Sequence, residues 1–393
     1  MRILTIGDSP HINSGYGNIL RKVNEGLIEA GHEVSMIAWF QMRPVEEDIG
    51  YEITHVTEQD PYGIYAFNQR VFKFKADVVF SVCDPYALVW VSKMVTRDRF
   101  AFCYYVPVDS VPIPSFWRSL LVDADNLFTY TNFGKEGIKK AINRDINVVY
   151  PGYDSDVFKR LEETKEEVKK RNGFSDRFIF TYVGVNAIRK QPVRLLKAFS
   201  KVIKKHPEAM LYLHTTMINE REGWNLEEAA RQLGISPGNL VFSRNSGPHG
   251  VPPQGLNIVY NLSDCMVSGA MCEGFGLPIL EAAAVGVPSI GMDYSSMPEL
   301  IKGRGELVKA RAWTMHNPYC QQRPLIDEDS LASKMNKMIE NPKLLEDYSK
   351  KCLEWASQYS WENQLPKFLD TITSTERERK EDTGRKEIQL IVV

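Results

Sequence analysis

Twice along this chain, short apolar runs rich in β-branched and aromatic residues alternate with stretches of helical periodicity. The first series holds RILTIG (2–7), EVSMIAW (33–39), DVVFSV (77–82), FAFCYYV (100–106), NLFTYT (126–131) and NVVYPG (147–152). Helices are predicted near 18–30 and 63–75; in the first, Ile19, Leu20, Val23 and Leu27 share a face and Gly31 is placed to end it. A highly charged stretch at 159–177, with no apolar cluster large enough for a core, interrupts the pattern. It restarts with FIFTYVGV (178–185), a helix over about 193–205, AMLYLH (209–214), NLVFS (239–243), DCMVSG (264–269) and VPSIGMD (287–293). Helical patterns at 329–340, 343–358 and 361–373 follow. Strands separated by helices imply right-handed crossovers and parallel sheets, so the fold class is α/β, with two Rossmann-like domains. The length of 393 residues agrees, being too great for one ordinary core.

Composition removes several function classes. A formal net charge of -2 argues against a dedicated nucleic-acid binder, which normally carries a basic excess. The six cysteines form no Cys-x-x-Cys pair, which suits a reducing cytoplasm. The opening MRILTIG lacks the long apolar core of a signal peptide, and no stretch approaches the roughly 18 apolar residues of a membrane span. A cytoplasmic protein, at most attached to a membrane surface, is expected. Lys135, Lys139, Lys140 and Arg144 along one helical pattern are the candidates for such attachment, against the plainer reading of a solvated face.

In open α/β sheets, ligands bind at the loops beyond the carboxyl ends of the strands. After the first strand comes GDSPHINSGYGNIL, where Gly15 and Gly17 lead into a helix whose free amides can face an anion; a tight turn without ligand is equally compatible. A nicotinamide-cofactor fingerprint fails here, because Leu20 stands where a third glycine belongs. The stretch CEGFGLPILEAAAVGVPS (272–289) supplies the better site, with a strand before it, Pro278 at a helix start and Gly286 at its end. Gly274, Phe275, Gly276 and Leu277 form the turn, and amides near Gly276 and Leu277 are expected to point into the cleft.

Glu273 and Glu281, eight positions apart, flank that turn. The helix dipole rewards an early acidic side chain by only about 0.3 to 1 kcal/mol, whereas an ionised carboxylate in an apolar crevice costs several kcal/mol unless donors satisfy it. Sugar hydroxyls are such donors: a ribose for Glu281 and a second sugar for Glu273, with a diphosphate between them. One ligand, a nucleoside-diphosphate sugar, then accounts for both glutamates. Arg189 and Lys190, in the loop after the 178–185 run, are the cations to meet a leaving diphosphate.

With these residues in view, the sequence resembles the retaining glycosyltransferases of family 4. EGFGLPILEA looks like that family's E-x7-E motif, AVGVPSIGMD its continuation, VVYPGYDSDVF (148–158) its inter-domain segment, TNFGKEGI (131–138) the end of its first domain, and YSWENQLPKFL (359–369) its final helix. The resemblance implies the GT-B fold, two Rossmann-like domains with parallel sheets facing a central cleft. It divides the chain into an acceptor domain at 1–152 joined by a crossing helix at 360–374, a donor domain at 153–359, and a charged tail at 375–393. It assigns the donor ribose to Glu281, the transferred sugar to Glu273 and the diphosphate to Lys190. Two departures stand out: Val185 occupies a position often held by arginine, for which Arg189 is a substitute, and YYVPVDSVPIPSFW carries no histidine, leaving Asp109 as the residue to handle an acceptor proton. A turn or helix-capping role for Asp109 is equally open. His11, on the facing loop, is a weaker candidate.

The implied activity is transfer of a sugar, with retention, to a hydroxyl acceptor. A nucleotide-sugar epimerase of the same fold, or an inactive sugar-nucleotide-binding protein, is the alternative. No cofactor is expected beyond the donor itself, and no metal, since the Asp-x-Asp triplets at 123, 154 and 327 fall in turns, helix starts and an inter-domain segment. Lipid, polysaccharide, small molecule, protein and a modified nucleic-acid base all remain as acceptors, and the sequence fixes neither donor base nor oligomeric state.

Overall fold

The computed structural model describes residues 1–12, 14–40, 49–243, 251–316 and 319–377. Most of the expected charged tail, 378–393, therefore lies outside the described residues. The first domain runs β1 (Arg2–Asp8), α1 (Gly15–Glu29), β2 (Glu33–Trp39), β3 (Glu52–His55), α2 (Ile64–Phe74), β4 (Val78–Val82) and β5 (Ala101–Val106). It continues through α3 (Arg118–Asp123), β6 (Asn126–Thr129), α4 (Asn132–Ile142) and β7 (Asn147–Val148). Its strands pair in parallel in the order β3-β2-β1-β4-β5-β6-β7. β4 and β5 are buried throughout and β1 almost so, because helices cover both faces of the sheet.

The second domain opens with α5 (Lys165–Arg171), β8 (Phe178–Val183), α6 (Pro192–Val202), β9 (Ala209–His214), α7 (Leu226–Gln232), β10 (Leu240–Phe242) and α8 (Pro253–Leu262). Next come β11 (Cys265–Val267), α9 (Leu277–Ala284), β12 (Ser289–Met292), α10 (Met297–Ile301), β13 (Glu306–Val308) and the antiparallel pair β14 (Ala310–His316) and β15 (Gln321–Ile326). Helices α11 (Glu328–Glu340), α12 (Pro342–Ala356) and α13 (Trp361–Thr373) complete the described chain. The second sheet has the parallel order β10-β9-β8-β11-β12-β13.

Helix α13 leaves the second domain and packs on the first, with Leu365 against Gly26 and the Phe368 ring 4.8 Å from Tyr105. Outgoing and returning chains are stitched where they pass: the Tyr153 amide donates to the Tyr359 carbonyl at 3.1 Å and the Trp361 amide to the Tyr153 carbonyl at 2.9 Å. A Cβ on Gly152 would stand 2.7 Å from Trp361, so this crossing admits only glycine.

Three features depart from the sequence reading. The charged stretch does reach a core, since Val168 is buried and Lys169 beside it directs its ammonium 2.7 Å from the buried Asp264. Strands β3 and β13 are too short for periodicity to mark them. The β14–β15 hairpin is largely exposed on β14, so it lacks an apolar alternation.

The domains are also joined by a carboxylate. Glu299, on α10, accepts from the Asn132 and Phe133 amides at 3.0 and 2.8 Å and from the Tyr150 hydroxyl at 2.6 Å. These amides begin α4, where unsatisfied N–H groups and the helix dipole both favour an anion. The hydroxyl of Tyr294 accepts from the Val111 amide at 3.1 Å, and its ring meets Phe133 edge to face. Replacing Glu299 with alanine should lower stability by about 1 to 2 kcal/mol, the scale of a lost helix cap. Denaturant midpoints measure this, and E299Q, which keeps one acceptor, should lose less.

Candidate active site

The site residues gather where the carboxyl ends of the two sheets face each other. After β8 the chain makes one tight turn over Ile188–Lys190, ended by Gln191 with a left-handed φ of 50°. After β11 a loop runs through 268–276 into α9. The two loops are bound together: the Met271 amide donates to the Arg189 carbonyl at 2.8 Å, and Gln191 Nε2 to the Gly269 carbonyl at 3.0 Å.

Glu273 sits inside this junction with its side chain only 12% exposed. One carboxylate oxygen pairs with Lys190 Nζ and the other with Arg189 at 3.3 Å, while its amide donates to Ser295 Oγ at 3.0 Å. Burial by itself raises this carboxyl, but the two adjacent cations reverse the effect and hold it below the usual range. Glu273 is thus an anion at neutral pH. It is satisfied by the same cations that the sequence reading set against a diphosphate.

Glu281 has the opposite environment. It lies in the second turn of α9, beyond the reach of the helix dipole, and burial pushes its carboxyl up to about 7 against the lowering effect of the Tyr260 hydrogen bond. Tyr260 donates to Oε2 at 2.8 Å, and no donor among the described residues reaches Oε1. A small dipolar gain therefore does not account for this glutamate; it carries a desolvation cost and keeps one oxygen unused.

Between the two carboxylates, Gly276 starts α9 at φ 104°, a value that side chains rarely adopt, and Pro278 occupies the first turn. The Gly276 and Leu277 amides donate to no group among the described residues. Phe275 is buried, its ring 5.2 Å from Tyr150. The facing domain comes close: a Cβ on Gly274 would lie 3.4 Å from Pro107, and one on Gly15 3.3 Å from Leu277. Gly15 thus stands opposite the start of α9. Gly17 instead packs tightly, its would-be Cβ 2.6 Å from the Ser9 carbonyl, and its amide donates to the capping Ser14.

The first-domain wall is acidic. Ser14 Oγ donates to Asp8 at 2.6 Å, and Tyr16 donates to Asp84 at 3.2 Å. Asp109 accepts from Arg323 of β15 at 2.7 Å and from Ser110 Oγ at 2.8 Å, so its carboxylate is engaged by a cation from the other domain. His11 lies nearby in the loop, its amide donating to Ser9 Oγ.

Other sequence candidates have structural employment. Arg144, just beyond α4, donates to the Ala124 and Asp125 carbonyls, and Lys135 on α4 pairs with Asp145, so half of this basic group is tied to its own domain. Asp123 and Asp125 both hold the buried Arg97, Asp154 pairs with Lys22, and Asp327 caps α11. Among the described residues no three His, Cys, Asp or Glu side chains converge on a point that an ion could occupy. No described helix is long and apolar enough to cross a membrane.

Sequence reasoning passed over Asp84, Tyr16, Tyr130, Tyr260 and Arg323. Asp84 had a signal, since it follows closely on the strand at 77–82. Tyr260 and Arg323 had none, because only tertiary packing brings them in.

Two parallel-sheet domains in these strand orders, a cleft between them and a returning final helix decide the architecture. The fold is GT-B. The sucrose-phosphate synthase of Thermosynechococcus elongatus superposes with a TM-score of 0.75 at 16% identity, over 94% of this chain and 98% of that one. Anabaena HepE, solved with UDP and glucose, gives a TM-score of 0.74 at 15% identity over 95% and 100%. Residues 164–355 match the family model described as glycosyl transferases group 1. The D-inositol 3-phosphate glycosyltransferase of Corynebacterium kroppenstedtii is 30% identical over 192 residues, 46% of this chain and 41% of that protein. The chain spans less than half the length of that relative, and 64% of a curated glycosyltransferase from Methanocaldococcus jannaschii.

Because the folded state holds Glu281 partly protonated, the wild type loses stability relative to E281Q as pH rises from about 4.5 to 7 and no further above it. The difference should reach about 1 to 3 kcal/mol. Paired denaturation curves across that range check it.

Proposed function

We propose that this chain transfers a sugar from a nucleoside-diphosphate sugar to a hydroxyl acceptor, with retention of anomeric configuration. The observation that carries the proposal is the pairing of two unlike, largely buried carboxylates around an open helix start: Glu273 ionised between Lys190 and Arg189, and Glu281 pushed up to about 7 with an oxygen unused. The GT-B architecture and the match over residues 164–355 support the same reading.

In this mechanism the donor's diphosphate lies against the Gly276 and Leu277 amides, next to Lys190 and Arg189. The ribose hydroxyls donate to Glu281, which ionises as they arrive, and hydroxyls of the transferred sugar donate to Glu273. The acceptor hydroxyl oxygen bonds to the anomeric carbon on the face the diphosphate leaves, the bond from that carbon to the phosphate oxygen breaks, and the hydroxyl proton passes to the departing diphosphate, whose growing negative charge the fixed cations and helix start stabilise. The positive field comes from the protein, so activity should not need a divalent ion. Residues 153–359 act as the donor domain, and 1–152 with the returning helix as the acceptor domain. The six cysteines are free thiols, five of them buried, which fits action in a reducing cytoplasm.

Screening UDP-, GDP- and ADP-linked hexoses for nucleotide release identifies the donor. With it, E273Q and K190A should each lower turnover by about 100-fold or more, the scale of losing one transition-state contact. EDTA should leave the rate unchanged, and NMR of the product should show the donor's anomeric configuration. Donor affinity of the wild type should rise with pH up to about 7, as Glu281 ionises, and E281Q should lose that dependence. Turnover untouched in E273Q and K190A, or an inverted product, would remove the proposal.

A further inference from the structure

The first-domain wall holds polar groups that donor binding leaves unused. Asp84, directly beyond β4, accepts from Tyr16 on one oxygen, and no donor among the described residues reaches the other. Tyr130, beyond β6, is 97% buried, and its hydroxyl has no partner among the described residues. Asp84 and Tyr130 follow the carboxyl ends of β4 and β6, which flank β5 in the sheet, and Tyr16 reaches Asp84 from the start of α1; after burial itself, the charge of Asp84 is also the strongest influence on both phenols. An unspent donor beside an unspent acceptor, in a buried place, is matched by a group that both gives and takes a hydrogen bond. A hydroxyl does both.

The surrounding charge restricts the ligand further. Asp84 is acted on by Asp109 and Asp8 and by one cation, Arg189; Glu273 already engages that cation, and Asp109 is itself paired with Arg323. A phosphorylated or carboxylated ligand would meet the carboxylates of Asp84 and Asp8 there, with the nearby cations Arg189 and Arg323 already paired. The rim is aromatic: Tyr86, partly exposed and close enough to feel Asp84, lies 5.6 Å from Tyr319, which also packs against Phe116. Hydroxyl edges for the carboxylate and C–H faces for the rings are together the chemistry of a sugar.

We infer that Asp84, Tyr16 and Tyr130 form the acceptor site, and that the acceptor is an uncharged polyol, a sugar with free hydroxyls rather than a phosphorylated one. Neighbouring hydroxyls donate to Asp84 and accept from Tyr130, while Tyr16 orients the Asp84 carboxylate. This rests on the proposed transfer reaction for its role, yet the site exists without it.

The test separates the two. Ligand-observed NMR on the full chain, without donor, uses methyl α-mannoside, methyl α-glucoside and mannose 6-phosphate as probes. The neutral glycosides should bind, the phosphate should bind at least 10-fold more weakly, and D84N and Y130F should each weaken glycoside binding by 10-fold or more. Circular dichroism establishes that the variants fold, and Y16F, which touches only the orienting hydroxyl, gives an independent smaller loss. With a donor present, D84N and Y130F should raise the acceptor KM by at least 10-fold while the donor Kd from calorimetry stays within 2-fold. The wild-type kcat/KM for acceptor, at saturating donor, should rise through about pH 6, where Asp84 titrates, and D84N should flatten that profile. Equal or tighter binding of mannose 6-phosphate, or glycoside binding unaltered in folded D84N and Y130F, overturns the inference. Glycoside binding lost in those variants, with no nucleotide released from any donor, upholds the site and overturns the transfer reaction instead.

Discussion

One carboxylate between two cations organises the second half of this protein. Glu273 belongs to the loop after β11, Lys190 and Arg189 to the turn after β8, and their ion pairs lock two loops that approach closely enough for the Met271 amide to donate to the Arg189 carbonyl. Removing Glu273 would leave two withdrawn cations without their carboxylate, whereas removing either cation would leave Glu273 with one partner, so the carboxylate is the member the other two depend on. The same arrangement makes the junction responsive. In the proposed reaction, a diphosphate brings more negative charge to the cations than Glu273 alone supplies, and leaves the carboxylate free to accept from hydroxyls.

The cleft has unlike walls. On one side are cations, an open helix start and a carboxylate; on the other, Asp8, Asp84 and Asp109 with tyrosines between them. Two devices hold these walls at working distance. Glu299 caps α4 from across the interface, and the hairpin carries Arg323 to Asp109 and Tyr319 into the rings of Tyr86, Phe116 and Trp117. Because the hairpin belongs to one domain and its contacts to the other, any opening of the cleft must break them. Asp109, offered by the sequence as a proton handler, is thereby occupied in joining the domains, while Asp84 keeps an oxygen unused.

Much of the fold was legible because burial on both faces of a parallel sheet leaves a continuous apolar run, as in 100–106 and 178–185. Helix α9 was legible from Gly276 and Gly286, whose left-handed φ values of 104° and 81° favour glycine, and from Pro278, which suits a first helical turn. The charged stretch at 159–177 misled, because Val168 reaches only a small apolar cluster and Lys169 beside it anchors through an ion pair with Asp264. In the site, Glu273, Glu281, Arg189 and Lys190 were marked by charge in apolar surroundings at strand ends. Asp84 met the same criterion, but one acid beside a proline in a loop reads like any turn.

The local sequence determined the sheets, the glycine turn and the spacing of the two glutamates, since these depend on periodicity and on conformations that few residues adopt. Only the tertiary structure decided their ionisation. Glu273 and Glu281 are the same residue type on one short segment, yet one is driven to full charge and the other held near neutrality. The difference lies in whether folding brings two distant cations or a single tyrosine hydroxyl against a carboxylate withdrawn from water.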